Sequence, residues 1–355
     1  MNITAVKSIV EHIKSNNSIN EYAGQESLTI VRCEVNTSDG ITGVGITGRF
    51  FASDVSNFIN HHISHNLSGK DPLDIELITT LLIKKFNPRQ ATGIFMSAIS
   101  ALDQALWDIK GKLLNLPISK LIGGARTSVD AYATVGLPVY NNEELIEACV
   151  SAIDQGFKGV KILVGFNRTI AEDAERIKNV RRAIGEAQLM IDANCSYTIS
   201  EAKQLASKIS DFDINFFEEP LQCNDLRSLA HLRQSTSIPI SSGQMIQSIT
   251  WFRDALNLGS LDILQPNVAF CGGISAMLRI LSLAEVYNIP VIGAGGFEAA
   301  NLPVMAGHSY GGMLEVHNAH HAIKKRFETH PKFINGQLIT SELPGIGFSF
   351  IDNLK

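Results

Sequence analysis

Three oxygen-bearing residues recur at the ends of short apolar runs. Asp192 closes Leu189–Met190–Ile191, Glu218 closes Ile214–Asn215–Phe216–Phe217, and Gln244 follows Ile238–Pro239–Ile240. They are spaced 26 residues apart in both steps. That is about the length of one strand, one helix and two short loops, and βαβ units of that period close into a parallel barrel whose strand C-termini share one mouth. Three such side chains on adjacent strand ends can converge on one hard cation, and oxygen ligands suit Mg²⁺.

Other polar residues fall where the same mouth should lie. Lys161 sits inside Val160–Lys161–Ile162–Leu163–Val164, too apolar a run for a surface salt bridge, so an active-site role is expected. Leu163 shares its face, and Lys158 falls on the opposite one. Asn194 has the parity of Asp192 and should face the mouth, where its amide can orient substrate hydroxyls. Glu219 directly follows Glu218, so alternation points it away and suggests a supporting role. Glu315 ends the last predicted strand. His317, two residues on, shares its face and is the histidine whose strand position reaches the mouth, as a candidate acid or base. His308, His320 and His321 read as loop or helix residues. Cys195 reads as a small buried residue, because no nearby histidine supports a nucleophile.

The elements that must position these groups divide near residue 127. Before it, Ile3–Val10, Leu28–Asn36 and Thr42–Thr47 alternate like an antiparallel meander, with a turn at Ser38–Asp39–Gly40. Helical periodicity follows over Asp54–His65, Asp74–Phe86 and Gly93–Leu114. From Asp130 onward strand and helix alternate about eight times. The expected fold is α/β, a (β/α)₈ TIM-type barrel (128–320) with an N-terminal α+β capping domain (1–127), completed by a C-terminal segment (321–355) that returns to the cap.

Composition narrows the function. The 355 residues are 45% hydrophobic and 18% charged, with net charge −5, which does not suggest a nucleic-acid surface. Lys84–Lys85 and Lys324–Lys325–Arg326 read as solvated faces. The five cysteines form no CxxC and no even framework, as expected for a reducing compartment. No signal-peptide pattern opens the chain and no apolar run reaches about 20 residues, so no membrane association and a cytoplasmic location are expected.

Longer motifs carry a resemblance. Ala98–Lys112 (AISALDQALWDIKGK), then Leu116–Pro117 and Leu121–Ile122–Gly123–Gly124, resembles the helix joining cap to barrel in the enolase superfamily, mandelate racemase and muconate-lactonising branch. Gly156–Lys161, Ile191–Asn194, Phe217–Pro220, Gln265–Asn267, Gly272–Gly273 and Leu314–Glu315 follow in the order of that family, so the resemblance covers nearly the whole chain. It implies a bound Mg²⁺ that chelates a substrate carboxylate, a base that removes the α-proton, and an enediolate stabilised by the metal and nearby donors. Asp192 and Glu218 fall on the first two metal positions. Gln244 stands where the family has Glu or Asp, which lowers the ligand charge from −3 to −2. Lys161 matches the first lysine of the family's KxK pattern, which helps hold the substrate carboxylate, and Leu163 replaces the second, the usual base. The opposite-face His–Asp dyad is also missing, since the matching positions read Ala294 and Asn267. Glu298 nearby reads as the carboxylate at a helix N-terminus. Glu315 matches a carboxylate that, when protonated, hydrogen-bonds the substrate carboxylate. Asn267, Tyr22 and Phe50 are further substrate-binding candidates. Asn20–Glu21–Tyr22 and Arg49–Phe50–Phe51 match cap loops that cover the mouth, where Phe50–Phe51 are either lid or core. Homo-oligomers are common in the family.

The leading expectation is an acid-sugar dehydratase, because dehydration does not require bases on opposite faces. A racemase, epimerase or cycloisomerase of a small carboxylate is the alternative. A catalytically altered member that only binds its ligand is another, motivated by Leu163, Gln244, Asn267 and Ala294.

Overall fold

The computed structural model describes residues 1–14, 27–89 and 91–351. Asn20, Glu21 and Tyr22, named above as cap-loop or substrate-binding candidates, lie outside them.

Strands β1 (Ile3–Lys14), β2 (Ser27–Thr37) and β3 (Thr42–Gly48) form an antiparallel meander in that order. Helices α1 (Ala52–Phe58) and α3 (Ile94–Leu113) pack on it, and α2 (Ile75–Phe86) packs on α3. The contact between β3 and α3 is close because β3 carries Gly43 and Gly45. A Cβ at either would run into the carbonyl of Ala105 or Ala101. Helix α3 is therefore buried along most of its length, between the cap sheet and the barrel.

The parallel strands β4 (Ser128–Gly136), β5 (Gly159–Leu163), β6 (Gln188–Asp192), β7 (Ile214–Glu218), β8 (Ile240–Ser242) and β9 (Ile263–Leu264) pair in sequence order. The seventh position is reduced to two bridges, Val291 to Leu264 and Gly293 to Leu314. The chain leaves extended geometry there because Gly295 and Gly296 take positive φ. Strand β10 (Leu314–His317) then pairs with β4, which closes the ring. Three helices that follow barrel strands begin with capping boxes: Asn141 with Glu144, Thr169 with Glu172, and Thr198 with Glu201. Each satisfies orphan backbone donors at the helix start and fixes the end of the loop before it.

Inward-facing residues form two layers. The lower one is apolar: Tyr132, Met190, Phe216 and Ile292, with Ile263 and Met313 against them. The polar residues two positions further along the same strands, including Asp192 and Glu218, share this inward face and lie one layer nearer the mouth. The C-terminal segment serves both domains. Its hairpin, Lys332–Ile334 with Gln337–Ile339, adds antiparallel to the start of β4. Arg326 pairs with Glu11, and Phe350 lies 4.9 Å under the Arg32 guanidinium. No described helix is long and apolar enough to cross a membrane.

Candidate active site

Lys161 is the centre of the polar layer. Its Nζ lies 2.6 Å from Glu218, 3.0 Å from Glu315 and 3.1 Å from Asp192, with all four side chains at most 3% exposed. Strand register explains the convergence: Asp192 is opposite Glu218, and Glu315 is opposite Tyr132 next to Thr134. The Thr134 hydroxyl donates to Glu315, and the Gln265 amide donates to Glu218 at 2.7 Å. Neither residue was singled out from the sequence, although Thr134 has the parity of Tyr132 on β4.

One ammonium among three carboxylates sets the charge states. Burial alone would lower Lys161, but Glu218, Glu315, Tyr132 and Asp192 together outweigh it and keep the ammonium well above its usual range. Burial opposes ionisation of Glu315. Lys161 first, then His317 and the Thr134 hydroxyl, more than offset that and hold Glu315 well below the usual carboxylate range. In this arrangement Glu315 is an ionised anchor for Lys161, not the protonated donor that the family pattern implies. Its other oxygen accepts from the Gly296 amide at 2.8 Å.

Glu219 stands otherwise than strand alternation predicts. Glu219 does not turn away from Glu218. The strand ends at Glu218, and Glu219 takes a left-handed φ of 40°, which breaks the alternation. Asp192, Glu218 and Glu219 thus bring carboxylate oxygens within 4.8 Å of one another. Gln244 donates its amide N–H to Glu219 at 2.7 Å, and Asn224 donates to the other Glu219 oxygen at 2.9 Å. Burial and then the Asp192 charge push Glu219 up to about 7, and the same two causes raise Glu218 well above its ordinary value. Oε1 of Glu218 is buried without a hydrogen-bond partner. A crowded set of hard oxygens with an orphaned acceptor fits a divalent cation such as Mg²⁺.

Other candidates are placed as follows. Asn194 folds back, and both its backbone N–H and its Nδ2 donate to Oδ1 of Asp192, at 2.8 and 2.5 Å. Asn267 requires a correction as a substrate contact. It is fully buried, its Nδ2 donates to the carbonyls of Ala294 and Gly296, and its Oδ1 accepts from the Ala269 amide and Asn301. Its hydrogen-bonding capacity goes into holding the glycine-rich 294–296 loop. Phe50 and Phe51 are 52% and 70% exposed, so they are not core. The Arg49 guanidinium lies over the Phe50 ring. Glu298 begins the helix Glu298–Gly307 and pairs with Lys324. Cys195 is half-buried, and burial pushes its thiol up to about 12, away from the thiolate form.

His317 is 8% exposed at the mouth end of β10. Its ring stacks on His320 at 4.9 Å between centroids and 23° between planes. His320 belongs to a single 3-10 turn, Asn318–His320, and reaches Arg49 of the cap. The sequence offered no signal for that pairing, because a short turn has no periodicity to read.

Comparison with known proteins agrees with this geometry. Residues 17–123 match the mandelate racemase/muconate lactonizing enzyme N-terminal domain, and residues 144–353 match the enolase C-terminal domain-like family. Arabinonate dehydratase of Saccharolobus solfataricus is 32% identical, over 99% of this chain and 92% of its own. The crystal structure of the 3,6-anhydro-D-galactonate cycloisomerase from Zobellia galactanivorans superposes with a TM-score of 0.89 at 31% identity, covering 99% of this chain and 97% of that one. A racemase from Streptomyces coelicolor, solved with bound magnesium, superposes with a TM-score of 0.91 at 25% identity, covering 98% and 97%. With a cap, a closed barrel and carboxylates gathered at its strand ends, the chain belongs to the mandelate racemase and muconate-lactonizing branch of the enolase superfamily.

Proposed function

We propose that this protein is a Mg²⁺-dependent hydro-lyase that removes the proton α to the carboxylate of an acid sugar and expels a β-hydroxyl. The observation that carries the reading is the buried constellation of Lys161 among Asp192, Glu218 and Glu315, with Glu219 beside it, gathered inside the barrel where Asp192 and Glu218 close their strands. Asp192, Glu218 and Glu219 are the residues that would hold the cation, with Gln244 tethering Glu219. When bound, Mg²⁺ supplies positive charge against which a substrate carboxylate can bind and take up the second negative charge of an enediolate.

The chain's own residues do the rest. Lys161 offers a fixed ammonium to the substrate carboxylate, and Glu315 and Thr134 hold it in place. An α-proton of a carboxylate is a very weak acid, so a preorganised cation at the point of developing charge is the main requirement. With Leu163 and Ala294 replacing the usual bases, His317 is assigned the proton transfer. Its imidazole accepts the α-proton, Glu315 balances the imidazolium, and the same proton passes to the departing β-hydroxyl as water. The remaining enol tautomerises to the 2-keto acid, so atoms and charge balance.

The test is incubation with Mg²⁺ and a panel of aldonic and aldaric acids in D₂O, read by mass spectrometry against an EDTA control. Dehydration removes one water from the product mass. Cycloisomerisation would incorporate solvent deuterium without that loss. Magnesium-dependent binding with neither change would leave only a ligand-binding role.

A further inference from the structure

The His317–His320–Arg49 contact has no part in the scheme above beyond His317 itself. Four rings form a column at the mouth: Phe270 meets Phe297 edge-on at 5.6 Å, Phe297 meets His320 at 5.4 Å, and His320 stacks on His317. His320 is only 3% exposed. Gly296 makes room for its ring, since a Cβ at Gly296 would collide with the His320 Nδ1.

Arg49 fixes the protonation pattern. Its Nη1 lies 3.4 Å from the His320 Nε2. A guanidinium has only donors, so a hydrogen bond here uses the Nε2 lone pair and puts the ring proton on Nδ1, which is buried without a partner among the described residues. A second proton on His320 would break that contact and place two cations side by side in a buried site. His317, stacked on His320, then has a neutral ring as its neighbour.

We propose that Arg49 and His320 are positioning residues that hold His317 as an oriented, neutral imidazole, so that the cap domain sets the protonation state of the barrel's base.

The surrounding charges pull in both directions, and Arg49 is among those that favour the neutral ring. Burial lowers His317 most. Glu315 on its own strand raises it, Arg49 from the cap and Lys161 from β5 lower it, and Asp192 from β6 raises it; the balance brings it down to about 4. Burial, His317 and Arg49 lower His320, against Glu315. Removing the Arg49 charge must therefore raise both histidines. A base that has to be neutral then loses activity at a higher pH.

The test has two arms, of which only the kinetic one rests on the dehydratase reading. In the first, nitrogen-15 NMR of histidine-labelled, Mg²⁺-loaded full-length protein reads ring tautomers. His320 is expected with its proton on Nδ1, and Arg49→Met is expected to lose that tautomer preference while Arg49→Lys largely keeps it. An Nε2-protonated His320 in the unaltered protein, or no change in Arg49→Met, would overturn the proposal. In the second arm, the acid limb of kcat/KM should move to higher pH in Arg49→Met, by on the order of one pH unit, and stay in place in Arg49→Lys. A lower kcat with an unmoved limb in Arg49→Met would mean a merely structural role and overturn the proposal. If the unaltered protein turns over no acid sugar, the dehydratase reading fails and the tautomer arm alone decides.

Discussion

At the residue scale, Lys161 and the Glu219–Gln244 pair separate function from scaffold. Lys161 has three carboxylate partners and almost no exposure, so its charge is balanced without substrate. Lys161→Ala should cut solvent-deuterium exchange into an accepted acid sugar on the order of 10²–10³-fold, the cost of losing one preorganised electrostatic contact. It should leave the far-ultraviolet circular dichroism unchanged. Undiminished exchange would remove Lys161 from the chemistry. The metal corner makes an ordering prediction. If Glu219 binds the cation and Gln244 tethers it, Glu219→Gln should weaken Mg²⁺ binding by calorimetry more than Gln244→Ala does. The tether should be worth about 10–100-fold. The reverse order would make Gln244 the ligand, as its place at the end of its strand suggested.

At the element scale, the signature helix α3 is a joint and carries no catalytic group. Gln104 accepts from the Ile46 amide and donates to the Ile46 carbonyl, and Asp108 accepts from the amides of Val44 and Ile346. Asp103 accepts from the amide and hydroxyl of Ser275, just past Gly273, where a Cβ would overlap the Asp103 carboxylate. Gly273→Ala should therefore lower the melting temperature more than Gly185→Ala. Both glycines have positive φ, 86° and 60°, but Gly185 has open space around it. The difference isolates the close approach from the backbone cost, which is about 1 kcal/mol at each. Equal losses would mean that the joint tolerates a wider gap. The same contrast explains what was legible beforehand. The barrel could be read because each strand and helix repeats a local period, and Lys161, Asp192 and Glu218 could be read because strand parity is local. Glu219 could not, because one left-handed residue reverses its direction. Asn267 could not either, because three partners distant from it in the chain, Ala294, Gly296 and Asn301, take up most of its amide.

At the scale of the whole molecule, the joint makes stability depend on pH. Asp103 is buried where cap meets barrel, and burial first of all pushes it up to about 7 from an ordinary 3.8; the Ser275 hydrogen bonds pull in the other direction. Both oxygens of Asp103 accept, one from the Ser275 amide and the other from the Ser275 hydroxyl, which itself accepts from Trp107 at 2.9 Å, so burial is the cause that favours the neutral acid. The sign follows from linkage. Between about pH 4 and 7 the folded chain keeps a proton on Asp103 that the unfolded chain has released. The stabilisation is therefore complete below 3.8 and fades as pH rises through about 7. Asp103→Asn keeps the shape, accepts from the amide through its carbonyl and donates to the hydroxyl through its NH₂, but cannot ionise. Denaturant midpoints of the two proteins should thus diverge with rising pH. The variant should gain on the unaltered chain between pH 5 and 8, and the gap should close near pH 4. Parallel curves across that range would mean that Asp103 is ionised in the fold and that the joint is held by a charge-assisted contact to Ser275.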